Sequence, residues 1–545
     1  MRRRHLLPAL LSAFALIAAA PETKPISAAR IKQHVRILSS DAFLGRGPTQ
    51  AGEAKTIAYL AREMARAGLQ PGGPNGSWYQ DVPLIRLDRG PVTMAMTVGG
   101  QAIALRPGQE VTASSGAPGE TRLMNAPIVF GGYGVVSEEL GWDPYRGADL
   151  QGKVVLLLWG DPDVEAGRDL GFGGRATAFS GRLGAKIGTA LGRGAAAVLV
   201  IHEDFPASYP WSQLAGSDPG PKFALDEGRP MTAKPSLSGA MHRDVAVNLL
   251  RRAGFDFDQL KLRSQNKEFR VLPLPGARLS AEFETRASRV VSRNVVGIVP
   301  GSTRAGETVI YGAHWDAYGR NSFDPPADQI RNGAVDNAIG TATLLEIARA
   351  FARGPRPQRS VLFAAWTAEE KGLLGANWYA NHPLRPLETT AAVFNLDPHV
   401  ALDATRNLDL IGGGRSPLEQ DLVRVAAARR LRVTPEVNTE AGWYFRSDHF
   451  AFAGKGVPTV YFRAGKDLVQ GGFARGEALV SAYNSRCYHQ TCDEFDRRWS
   501  LVGAAQEGSV AYDLGREIAN SGRWPGWNPG SEYGRLREPS AGLRR

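Results

Sequence analysis

Five side chains in five separated segments carry the chemistry of this sequence: His314, Asp336, Glu370, Asp397 and His489. They stand in Tyr311-Gly-Ala-His-Trp-Asp316, Asn332-Gly-Ala-Val-Asp-Asn337, Trp366-Thr-Ala-Glu-Glu370, Asn395-Leu-Asp397 and Tyr488-His489. Two imidazoles and three carboxylates suit a pair of zinc ions that share one carboxylate. Two such ions, roughly 3.5–4 Å apart, activate a water for hydrolysis. Glu369, beside one expected ligand, is placed to act as general base. Asp316, two residues past His314, is a candidate to orient that imidazole, since zinc histidines commonly give their second N–H to a carboxylate.

The elements that must position these groups follow a repeated strand–loop–helix pattern from Asn294 onward. Strands are expected over 295–299, 308–313, 360–366, 391–396, 408–411 and 457–462, with helices over 340–353, 370–380, 418–431 and 501–520. Apolar runs followed by amphipathic helices predict an α/β fold with a mostly parallel, mixed sheet sandwiched by helices. Ligands of such sheets gather beyond the carboxyl ends of strands, where His314, Glu370 and Asp397 fall. Upstream, Ile57, Leu60, Ala61 and Met64 mark one face of a helix over 51–67, which Gly68 ends. Residues 91–285 have a different texture of short strand-like runs and glycine turns, contain none of the five ligands, and read as a β-rich insert. The expected division is therefore 1–20, a signal peptide; 21–90 and 286–525, two parts of one catalytic unit; 91–285, the insert; and 526–545, a polar tail.

The export segment rests on Arg2-Arg3-Arg4, the apolar run Leu6–Ile17 and Ala18-Ala19-Ala20. Beyond it no run is apolar enough to span a bilayer, so a periplasmic or secreted chain is expected. The two cysteines, Cys487 and Cys492, flank His489, and a disulfide there would stiffen a ligand loop. The formal net charge of +11 comes from scattered arginines with no aromatic-interleaved basic stripe, which argues against a nucleic-acid partner.

Each motif alone is weak. An isolated His-x-Asp is an ordinary loop, Asp336 alone would be a helix cap, and two acids at a helix start favour its dipole. His449 and His399 are rival imidazoles near the site, and Asp403 and Asp409 are rival carboxylates. His34, His202, His242 and His382 sit outside any motif. A Gly-x-Ser-x-Gly elbow, a phosphate loop and a His-Glu-x-x-His helix are all missing from the sequence.

Taken together, Gly312–Asp316, Asn332–Gly340, Glu369-Glu-Lys-Gly-Leu-Leu-Gly375, Asn395–Asp397, Arg446-Ser-Asp-His449 and Tyr488-His489 with Asp493 resemble the co-catalytic zinc exopeptidases of metallopeptidase family 28. That family includes aminopeptidases and glutamate carboxypeptidases. The resemblance implies that His314 and Asp397 hold one zinc ion, Glu370 and His489 the other, and that Asp336 bridges them. It makes Glu369 the general base and Asp316 the partner of His314. It further implies a protease-associated insert carried by 128–134, 149–155 and 193–200, and peptide substrates, with an aminopeptidase as the leading activity. A carboxypeptidase for acidic dipeptides and a non-catalytic receptor-like protein are the alternatives. Val335, Ile339 and Pro398-His399 depart from the family pattern.

Overall fold

The computed structural model describes residues 25–544 apart from 219, 230, 232, 233 and 399. The expected export segment and His399 therefore lie outside the described residues. Among the described residues no helix is long and apolar enough to cross a membrane.

One mixed sheet organises the chain. From one edge its strands run Arg432–Pro435, Asn407–Ile411, Thr459–Ala464, Thr390–Asn395, Arg304–His314, Arg359–Trp366 and Leu272–Val299, then Gly119–Phe130, Val154–Leu157, Ala197–His202 and Leu237–His242. The four strands Arg359–Trp366, Arg304–His314, Thr390–Asn395 and Thr459–Ala464 are parallel neighbours. Every residue of Arg359–Trp366 and Thr390–Asn395 is buried, as expected where helices cover both faces. The period-two alternation divides their side chains between two layers. Val309, Tyr311, Ala313, Phe363 and Ala365 pack beneath the helices Ala28–Leu38, Ala51–Ala67, Gly340–Arg353 and Val502–Ala519. Ile310, Leu362, Ala364 and Trp366 pack on the opposite layer with Ala376, Tyr379 and Phe452. Gly312 permits this arrangement at the crowded strand end, because a Cβ there would stand 2.3 Å from the Trp366 Nε1.

The helices over 51–67 and 340–353 have the bounds expected from sequence, and Gly68 closes the first with φ +104°. Two expectations need correction. The helix anticipated over 370–380 begins at Leu374. Ala368 and Leu373 adopt left-handed φ values of 53° and 59°, and the intervening chain is a turn. Residues 526–545, expected from sequence as a polar, loosely held tail, pack against the catalytic unit. Trp527 and Tyr533 join an aromatic cluster with Tyr444 and Tyr488, and Arg537 donates to the Thr390 carbonyl at 2.7 Å.

The 28-residue strand Leu272–Val299 joins the two regions of the sheet. Its first part pairs with Thr93–Val98 and Gly119–Phe130, its middle with Tyr79–Arg89, and its end with Arg359–Trp366. Residues 285 and 286 lie within this continuous strand. Residues 94–283 supply a hydrophobic cluster of their own around Ile128, Leu156, Leu199 and Leu279.

Candidate metal centre

The ends of three central strands deliver the candidate donors to one place. His314 is the last residue of its strand, Glu369 and Glu370 follow Trp366 by one short turn, and Asp397 lies two residues past Asn395. Asp336 arrives from the loop before Gly340–Arg353. A side chain at Gly340 would collide with Asn337 Oδ1 and the Leu396 carbonyl, both 2.2 Å from an added Cβ, which accounts for the glycine in that motif. His489 comes from the loop closed by the Cys487–Cys492 disulfide.

His314 Nε2 lies 3.2 Å from Asp336 Oδ1, 3.7 Å from Asp397 Oδ1 and 3.8 Å from Glu369 Oε2. His489 Nε2 lies 3.2 Å from Asp336 Oδ2 and 3.2 Å from Glu370 Oε2. Asp336 thus faces one imidazole with each oxygen. His314, Asp336 and Glu370, and again His314, Glu369 and Asp397, offer donor atoms spaced to hold a metal ion. The second group includes the expected base, Glu369, alongside expected ligands.

Electrostatics fit a cation. Burial pushes Glu369 and Glu370 well above the usual carboxylate range, and neighbouring carboxylates add to this. Burial works against a charge on His314, but Glu369, Asp336 and Asp397 outweigh it and hold the imidazole well above its usual value. Burial would raise Asp336 as well, yet the two imidazoles keep it well below the ordinary range. Glu370 Oε1 and both oxygens of Asp448 are buried without a hydrogen-bond partner among the described residues. Four carboxylates around two imidazoles, with an orphaned ligand oxygen, form a donor set suited to hard or borderline divalent ions.

Asp316 acts differently from the sequence expectation. The His314 Nδ1 partner is the Asp316 carbonyl, at 3.1 Å, whereas its carboxylate is 3.8 Å away. That carboxylate accepts the N–H groups of Glu369 and Glu370 at 3.0 and 3.4 Å. These bonds hold the glutamate turn out of the following helix, which explains the shifted helix start.

Several supporting residues escaped sequence reasoning. Buried Arg46 donates to the carbonyls of Leu38, Trp315, Asn332 and Gly333 at 2.7–2.9 Å, pinning the chain beside His314 and before Asp336. Ser447 donates to Asp397 Oδ2 at 2.5 Å, and Tyr461 to the Asp397 carbonyl at 2.8 Å. Tyr318 Oη lies 3.0 Å from His489 Nδ1, leaving Nε2 towards the carboxylates. Asp493, whose place in the sequence pattern carried no role, accepts the N–H groups of Val335 and Asp336 at 2.8 and 3.1 Å. His449 packs between Tyr444 and Tyr461, and burial pushes it down to about 3.

The donors open into a cleft of ≈ 200 Å³ whose walls include Arg182, Arg446 and Arg463. Arg182 comes from the 91–285 segment and lies over the rings of Phe179, Phe445 and Phe450. Among the described residues none of these three guanidinium groups is ion-paired with a carboxylate.

Residues 294–512 match the family model described as Peptidase family M28, and this span contains all five candidate ligands and Glu369. Over 136 residues the chain is 37% identical to aminopeptidase NAALADL1 of Mus musculus, covering 24% of this chain and 17% of that protein. Over 141 residues it is 32% identical to a probable glutamate carboxypeptidase of Arthroderma benhamiae, covering 25% of this chain and 18% of that protein. The chain thus aligns with less than a fifth of the length of these curated relatives. In fold it is similar to an aminopeptidase from Aneurinibacillus sp. strain AM-1, with a TM-score of 0.53 and 18% identity over 92% of this chain and 96% of that one.

Proposed function

We propose that this chain is an exported, zinc-dependent exopeptidase that removes N-terminal residues from peptides and uses two zinc ions. The observation that carries the reading is the convergence of two imidazoles and four carboxylates, 3.2–3.8 Å apart, beyond the ends of the parallel strands. In this reading His314 and Asp397 hold one ion, Glu370 and His489 the other, and Asp336 bridges. Zinc at such a centre supplies Lewis-acid polarisation of the scissile carbonyl and lowers the pKa of a water towards about 7. Glu369 takes a proton from the attacking water and delivers it to the departing amine nitrogen, a role worth about 10²–10⁴-fold. Asp316 holds Glu369 and Glu370 by their backbone N–H groups, so the base keeps its place as its charge changes. Residues 91–285 act as a protease-associated-like insert that shapes the cleft, supported by the reach of Arg182 into it. The Cys487–Cys492 disulfide suits an oxidising compartment and so supports export.

A second reading, carboxypeptidase action on acidic peptides, is favoured by the three arginines of the cleft, none of them ion-paired with a carboxylate among the described residues. Peptides blocked at one end separate the two. For an aminopeptidase, the substrate ammonium is recognised by the acidic centre, and burying an unpaired charge or its replacement is costly. Acetylating the N-terminus should then lower kcat/KM strongly, and amidating the C-terminus should matter little. The reverse pattern would transfer the assignment to the carboxypeptidase. Cleavage of doubly blocked peptides at internal bonds would reject exopeptidase action.

A further inference from the structure

The two imidazoles of the centre are secured in different ways. His314 ends a central strand, and its carbonyl accepts the Thr341 hydroxyl at 2.7 Å. With the Asp316 carbonyl on its Nδ1 and Arg46 on the Trp315 carbonyl, its supports among the described residues come from the catalytic part of the chain and none from residues 91–285. His489 lies in a loop and adopts a left-handed backbone with φ 60°. An L residue other than Asn or Asp gives up about 1–2 kcal/mol in that conformation, so outside donors on the loop matter.

Those donors also grip the 91–285 segment. Arg331, 2% exposed, donates Nη1 to the His489 carbonyl at 2.9 Å and Nη2 to the Gly216 carbonyl at 3.0 Å. Asp324 fixes the same guanidinium in a forked pair at 2.7 and 2.8 Å. Its plane lies 5.6 Å from the Tyr318 ring, whose hydroxyl meets His489 Nδ1. Arg446 forms a parallel tie: it lies 5.5 Å from the Tyr209 ring and donates to the Tyr488 hydroxyl at 3.3 Å. Gln213 adds a bond to the Asn484 carbonyl. Residues 209–217 are thus fastened to the Tyr488–His489 loop through Arg331 and Arg446, and through Gln213 to the helix Gly472–Arg486 that leads into it, whereas His314 makes no corresponding contact among the described residues.

We propose that Arg331 is a positioning residue that makes the seating of residues 209–217 a condition for holding the ion at Glu370 and His489, while the ion at His314 and Asp397 is independent of that seating. The proposal rests on the two-ion reading above. Its consequence is that the insert is part of the metal centre, and that a cleft opened at residues 209–217 loses the second ion first.

Zinc content and affinity decide it. Wild type, Arg331→Ala, Arg331→Lys and Gln213→Ala would be dialysed against buffered free zinc and the bound equivalents measured. Wild type should hold two ions. Arg331→Ala should hold one at the same free zinc, with second-ion affinity weakened about 10–100-fold, the scale of losing an outer support of a metal ligand. Arg331→Lys should recover part of the loss, and Gln213→Ala should weaken the second ion alone. If Arg331→Ala does not fold, Arg331→Lys and Gln213→Ala carry the test. Equal weakening of both ions, or two ions at wild-type affinity in all variants, would overturn the proposal. A wild type that binds one ion would remove the two-ion reading itself, and the proposal with it.

Discussion

Two buried histidines, each at the end of a parallel strand of the same sheet, behave in opposite ways. His202 ends Ala197–His202 and is 2% exposed, and His314 ends Arg304–His314 and is 1% exposed. Burial drives His202 down to about 4: the rings of Trp159, Tyr209 and Trp211 surround it, and the single, exposed Asp204 carboxylate opposes the shift without reversing it. The same burial fails to lower His314, because three carboxylates crowd its Nε2. The two regions differ likewise in their acids. In the 91–285 region Lys261 pairs with Glu165 at 2.7 Å and Glu203 at 2.8 Å. At the candidate centre four acids share two imidazoles, and no lysine or arginine is ion-paired with any of them among the described residues. Strand-end position and burial are therefore common to both regions. What separates a candidate site from scaffold is uncompensated like charge, whose buried cost a protein retains where chemistry requires it.

The largest effect should come from removing the proposed zinc ions. Chelation should abolish peptide hydrolysis, and zinc or cobalt should restore it. Full turnover in a sample verified as metal-free would mean the acids of the centre are as self-sufficient as those of the insert. Glu369→Ala should keep its metal yet lose about 10²–10⁴-fold in kcat. Glu370→Ala should weaken one ion. If elemental analysis finds metal lost from Glu369→Ala instead, the roles of the adjacent acids are exchanged.

Next in size is the scaffold beneath the centre. Arg46→Met should leave the buried Leu38, Trp315 and Asn332 carbonyls without a donor, whereas the Gly333 carbonyl keeps the Ala338 N–H at 3.1 Å. Each stranded group costs about 1–3 kcal/mol, so a loss above about 3 kcal/mol is expected in denaturant unfolding. Metal affinity should fall with it, because the freed carbonyls flank His314 and Asp336. A variant of wild-type stability and affinity would show that these loops hold themselves.

Much of this was legible in the sequence, and the omissions have a common cause. The helices over 51–67 and 340–353, the parallel strands and the strand-end placement of His314, Glu370 and Asp397 follow from local periodicity, whereas Asp336 and His489 lie in loops and are linked to them in the sequence only by residue type and the family resemblance. Arg46 lies in Leu44-Gly-Arg-Gly-Pro48, which from sequence alone reads as a glycine turn. Its carbonyl partners stand 269 and 287 residues away at Trp315 and Gly333, beyond any local pattern. Flanking glycines around a lone arginine were the one available signal. The false helix start at Glu370 had a similar origin: the bonds that hold the turn come from Asp316, 53 and 54 residues upstream. The length of Leu272–Val299 was hidden because Pro273, Pro275 and Gly276 look like a break, whereas the strand passes them with a register shift.

The smallest expected effect belongs to the scaffold region and has a defined pH window. Lys186 is buried and donates to the carbonyls of Leu158 and Gly160. Burial lowers it from 10.5 to about 7, with Asp161 opposing the shift. A depressed folded-state value means that the unfolded chain binds the extra proton between about 7 and 10.5. Stability from this group is therefore full above 10.5 and is lost as pH falls towards 7. Asp161 has the opposite sign: burial raises it from 3.8 to about 6, so its contribution is complete below 3.8 and is lost as pH rises through 6. The two windows do not overlap, which lets Lys186 be read alone. From pH 7 to 8, wild type should gain about 1 kcal/mol relative to Lys186→Met. Hydrogen exchange should locate the gain in Val154–Leu157 and Ala197–His202 and leave Arg304–His314 unchanged. An identical pH slope in both proteins would show that the buried lysine keeps its proton, held by the two carbonyls and by Asp161.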